Sequence, residues 1–152
     1  MVAFLYICPL LHRPMGKEIT IKRFYPHPID KVWKAISTSE ALAEWLMPND
    51  FKLEKNHEFT FRTKPQPGFD GIVKCKLIDF EIPSKLQYTW QGGPLKKPTL
   101  VSFELEATNE GTNLHFRHSG FEGFINQYIV RFILGSGWKG LLKTNIKKHL
   151  DK

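Results

Sequence analysis

The chain has 152 residues, 41% of them hydrophobic and 13% aromatic, which suits one domain with its own core and excludes a disordered chain. Its formal net charge of +7 suits an acidic partner, yet it contains no run of five like charges and no nucleic-acid-binding motif, so no nucleic-acid partner is expected. Two unpaired cysteines, Cys8 and Cys75, make neither a metal site nor a disulfide framework and fit a cytoplasmic protein.

The first fourteen residues, MVAFLYICPLLHRP, are apolar from Val2 to Cys8 and again at Leu10 and Leu11. A membrane span needs about 20 apolar residues, and a secretory signal needs a basic start and a small-residue cleavage site. Neither pattern is met, so no membrane insertion is expected. Residues 1–14 are read as a poorly ordered extension, with a natural start at Met15. The alternative is a segment that docks on the domain. Residues 15–152 read as a single domain.

Within it, KEITIKRFY (17–25) alternates as a strand does, until Pro26 and Pro28 stop it. Ile29, Val32, Trp33 and Ile36 then fall at helical intervals, with Pro28 fitting the first turn. A second short helix follows over SEALAEWL, with Ser39 as its expected N-cap. From Phe59 the period becomes two. Phe59 and Phe61, then Val73, Cys75 and Leu77, then Leu86, Tyr88 and Trp90 face one way. Val101, Phe103 and Leu105, then Leu114, Phe116 and His118, continue the pattern. The breaks at Pro83-Ser84, Gly92-Gly93-Pro94 and Asn109-Glu110-Gly111 are turn-like. Helical spacing returns at Ile125, Tyr128, Ile129, Phe132 and Ile133 and runs on through Trp138, Leu141, Leu142 and Ile146. Gly135 and Gly137 interrupt it, as a kink, a packing contact or a break between helices.

The order is thus one strand, two short helices, about six strands and a long helix. A sheet with one apolar face must be covered, and the C-terminal helix is the one element large enough to do so. This leads to a two-layer α+β domain.

Several segments resemble one family in order and spacing. PIDKVWKAIS and SEALAEWL, with Trp33 and Trp45, resemble the opening helix pair of the activator-of-heat-shock-protein-90-ATPase family. FDGIVKCKLIDFEIPSKLQYTW resembles its central strands, and HSGF (118–121) and Gly137-Trp138 its C-terminal signature. The resemblance implies the helix-grip fold of the START-like, or SRPBCC, superfamily. That is a curved antiparallel sheet of about six to seven strands around a long C-terminal helix, commonly with an apolar cavity between them. The chain resembles the bacterial stand-alone members. It lacks room for the additional N-terminal domain of the eukaryotic co-chaperone, and EKNHEF stands where the family often has a Gly-rich turn.

No GxSxG, HExxH, P-loop or GxGxxG motif occurs, and the carboxylates are scattered. No catalytic set, metal site or cofactor is therefore expected. His118 is the most interesting polar residue, because the strand phase aims it at the concave face. A histidine there can hold a ligand or act as a base. Without a carboxylate or nucleophile beside it, a core histidine bonded to backbone or to a tyrosine hydroxyl is the preferred reading. The expected cavity-lining residues are Trp45, Met47, Phe61, Phe69, Tyr88, Trp90, His118, Phe121, Phe124 and Trp138. Trp45 and Met47 are expected on one rim and the loop KPQPGFDG on the other. The favoured function is a binding domain for a small apolar or amphipathic molecule. The alternatives are a chaperone-activator-like interaction protein that meets acidic surfaces in a stress response, and a cyclase- or aromatase-like enzyme.

Overall fold

A computed structural model describes residues 18–152. The expected extension over 1–14, with Cys8 and His12, lies outside the described residues.

Strand β1 (Ile19–Tyr25) leads into helix α1 (Ile29–Ser37) and helix α2 (Ser39–Trp45). Five strands follow: β2 (Glu58–Arg62), β3 (Ile72–Glu81), β4 (Lys85–Trp90), β5 (Thr99–Ala107) and β6 (Thr112–Ser119). One helix over 124–150 (α3) closes the chain. The sheet order is β1-β6-β5-β4-β3-β2, with every neighbouring pair antiparallel. Consecutive strands β1 and β2 therefore end on opposite edges, and the α1–α2 pair spans the distance between them. The domain is a helix grip of six strands.

The caps explain the helix boundaries. Thr38 and not Ser39 caps α2: its backbone is extended, and its Oγ1 accepts from the Ala41 N–H at 3.4 Å. Ser39 already lies within the helix and donates to the Asn49 carbonyl.

Strand alternation is realised as burial. Phe59, Phe61, Val73, Cys75, Leu77, Leu86, Tyr88, Trp90, Val101, Phe103, Leu105, Leu114 and Phe116 all point inward. On the helix the buried set is Val130, Trp138, Leu142, Ile146 and Leu150, with Leu134 half-buried between the first two. That is a four-residue step. An α-helix has 3.6 residues per turn, so such a step would slide about 40° around the axis each time. Two stretches, Asn126–Val130 and Leu141–Asn145, are wound more widely, with i→i+5 hydrogen bonds. The wider turns keep the stripe aimed at the sheet.

One helix expectation is corrected and one open choice is decided. Ile125, Tyr128, Ile129, Phe132 and Ile133 do not cover the sheet; all five are exposed. The first half of α3 is apolar on two sides, and the sheet takes the side bearing Val130 and Leu134. The glycines do not break the helix. A Cβ at Gly135 would lie 3.6 Å from Ile19 Cγ1, so this glycine is a packing contact with β1, while Gly137 faces open space.

The far half of α3 is tied down by polar contacts. The Tyr25 hydroxyl donates to the Leu142 carbonyl at 2.6 Å. Asn145 Nδ2 donates to the Trp45 carbonyl. Glu44 pairs with His149 at 2.9 Å and with Lys152, and Asp151 pairs with His27 at 2.9 Å. No described helix is long and apolar enough to cross a membrane.

Candidate functional site

At the end of the sheet where β4 stops, an apolar cavity of about 320 Å3 opens between the strands and α3. Its sheet side is Val73 and Trp90, and its helix side is Val130, Ile133 and Leu134. Met47, just beyond α2, and Phe69 complete the walls. Among the described residues the only polar side chain in the lining, the Trp90 indole N–H apart, is Gln66, and none of them that lines it is titratable.

Local backbone chemistry sets this shape. Gln66 and Phe69 exchange backbone hydrogen bonds at 2.8 Å in both directions, a tight loop that turns through Gly68 at φ +81°. The loop lays the Phe69 ring against Gly92, where a Cβ would come within 3.4 Å of the ring and 3.2 Å of the Ile72 carbonyl. The glycines after Trp90 are thus a seat for Phe69 as well as a turn.

Behind the Trp90 wall lies a sealed polar relay. His118 is fully buried. Trp138 Nε1, which can only donate, lies 3.2 Å from His118 Nδ1. His118 Nδ1 is therefore the acceptor, and its Nε2 carries the proton. That N–H donates to Thr99 Oγ1 at 2.6 Å, and the Thr99 hydroxyl donates to the Trp90 carbonyl at 2.6 Å. Each group has its partner only while the imidazole is neutral, since a second ring proton would face the indole N–H. Burial pushes the His118 pKa down to about 3. The ring also packs on Phe121, with centroids 4.8 Å apart, and meets Trp90 edge-on at 5.9 Å.

The expected lining residues thus divide into three groups. Met47, Phe69 and Trp90 meet in the cavity. Trp45, Phe61, Tyr88, His118, Phe121 and Trp138 are packed in the core beside or behind it. Phe124 is 73% exposed and outside the lining. The partners of His118 are a threonine hydroxyl and an indole, neither backbone nor a tyrosine. Sequence reasoning passed over Thr99, although it stands in phase with Val101 and Phe103, and over Gln66, which carries no periodic signal.

Two further buried groups bear on chemistry. The Tyr88 hydroxyl has no hydrogen-bond partner among the described residues, and burial pushes its pKa well up, with Cys75 adding to the effect. The Cys75 thiol is likewise raised, by burial first and by Asp50 second, which keeps it an inert thiol.

The fold recurs in solved structures. A Mesorhizobium loti protein is 28% identical, with a TM-score of 0.78, over 88% of this chain and 96% of its own. A Bacillus halodurans protein is 29% identical, with a TM-score of 0.72, over 89% and 96%. A Nitrosomonas europaea protein at 16% identity and a TM-score of 0.73, over 91% and 96%, shares the fold. No functionally curated protein matches the sequence. Residues 26–151 match the family model described as Activator of Hsp90 ATPase homolog 1-like protein, and the chain belongs to that family.

Proposed function

We propose that the protein binds a small apolar or amphipathic molecule in the cavity between the sheet and the first half of α3. The observation that carries this reading is the lining itself: a wall of aliphatic and aromatic groups around about 320 Å3, with Gln66 as the one amide side chain among the described residues. That volume lies near the lower end of the roughly 300–1,000 Å3 usual for ligand pockets. Such a wall rewards apolar area at about 25 cal/mol per Å2, and Gln66 can orient one polar group of the ligand. His118 supports the pocket from behind, holding Trp138 directly and the Trp90 backbone through Thr99.

Native mass spectrometry of the gently purified chain, compared with its denatured mass, tests the reading. A reproducible excess of a few hundred daltons, lost in Leu134→Trp, is expected. A bare mass together with no saturable uptake of an apolar fluorescent probe rejects it.

A second reading follows from the family and the net charge of +7: contact with an acidic chaperone or client surface. Its mark is an affinity for that partner that falls steeply as salt rises.

A further inference from the structure

The first half of α3 presents six large apolar side chains to solvent: Phe124, Ile125, Tyr128, Ile129, Phe132 and Ile133. At about 200 Å2 for each side chain and the observed half to three-quarters exposure, they offer roughly 700 Å2. The largest apolar patch on a typical monomer is about 300–600 Å2. One side of a standard protein interface is about 800 Å2. The patch is therefore large for a lone chain and close to what one half of a stable dimer needs.

The spacing within the patch points to the occupant. Ile125, Ile129, Phe132 and Ser136 follow one another at steps of four, three and four residues, and all four are exposed. That four-three-four spacing is the one paired helices use, here carried by a helix whose Asn126–Val130 turn is wide. In an antiparallel pairing centred between Val130 and Arg131, Ile125 meets the partner's Ser136 and Ile129 meets the partner's Phe132. Each layer then sets a large side chain against a smaller one, and no charged residue lies in the seam. A surface of this kind complements itself, with Arg131 and Lys139 flanking its Phe132–Ser136 end.

We propose that the exposed face of α3 is the interface of a homodimer in which two copies pair their C-terminal helices antiparallel through Ile125, Ile129, Phe132 and Ser136. Because each chain carries +7, the copies repel one another, and salt strengthens the dimer by screening that repulsion. Binding to an acidic protein or an anionic membrane has the opposite salt dependence.

Sedimentation velocity on the full chain tests this from about 5 to 500 μM, at low and high salt. The expected mass rises with concentration toward twice 17.7 kDa. The midpoint should move to lower concentration as salt rises. Phe132→Glu should weaken association at least about 30-fold, as loss of an interface anchor does. Circular dichroism would show the variant to be folded. For register, Ile125→Cys combined with Ser136→Cys, with Cys8 replaced by serine, should give a covalent dimer on mild oxidation, while either cysteine alone should not. A chain monomeric at 500 μM overturns the proposal, whether its helix face is bare or covered by residues 1–14. So does a dimer that dissociates as salt rises, or one indifferent to Phe132→Glu.

Discussion

The neutral His118 makes stability depend on pH in a way that can be isolated. In the unfolded chain its pKa is near 6.5; in the fold burial lowers it to about 3. The unfolded state therefore binds the extra proton first. Stability is fully present above about pH 6.5 and is lost as pH falls toward 3. At pH 5 the unfolded state gains about 2 kcal/mol relative to pH 7.5 from this residue alone. The figure depends only on the folded value lying well under 5. His118→Gln can still donate and accept but cannot titrate. Urea unfolding of both proteins at pH 7.5 and pH 5 gives two losses, and the wild-type loss should exceed the variant's by about 2 kcal/mol. The pairs His27–Asp151 and His149–Glu44 are common to both proteins and cancel. Equal losses would refute the argument, because they require a His118 that protonates as readily folded as unfolded.

Other perturbations follow from the same structure. Trp138→Phe removes the donor to His118 Nδ1 and should destabilise by about 1–3 kcal/mol in thermal or urea unfolding. Tyr88→Phe deletes a buried hydroxyl without a partner among the described residues and should be neutral or stabilising by up to about 1 kcal/mol in the same assay. Gly137→Ala places a methyl in open space within a helix, and its urea midpoint should rise by the equivalent of about 1 kcal/mol. Gly71→Ala should do the reverse, since φ there is +82° and a Cβ would lie 2.3 Å from the Thr63 carbonyl; a midpoint no lower than wild type would contradict this.

The fold was legible because each strand repeats with period two and each such repeat is buried on one side. Thr60, Lys74 and Gln87 mark the outer face of the sheet as plainly as Phe59, Cys75 and Leu86 mark its core. The C-terminal helix was legible as a helix but not in its rotation. Its first half carries enough apolar residues for two faces, and only the sheet selects Val130 and Leu134 over Ile129 and Phe132. The wider turns that sustain the four-residue stripe leave no mark in composition. Alternation aims Tyr88, Trp90 and His118 alike at the interior, but it cannot distinguish a residue touching a cavity from one sealed behind it. That difference arises from Phe69 seated on Gly92, a loop contact without periodicity. The Thr99 hydroxyl needed the same kind of knowledge, because its partner lies 19 residues away on the next strand.

The two ends of α3 are held very differently. From Trp138 onward the helix carries a buried residue on every turn and ion pairs at its tip; before Trp138, among the described residues, Val130, Leu134 and Gly135 rest on the domain. It is a lever with a clamped handle and a light blade, and Trp138 is the fulcrum. A rotation of a few degrees about that point would raise Val130 and Ile133, enlarging the cavity while the indole and the ring behind it stay in place. In the monomer, at concentrations below those that pair the helices, backbone amides should record this as a gradient, exchanging fast from 124 to 134 and slowly from 138 to 150. Entry to an otherwise rigid core would then cost only the loosening of one helix end.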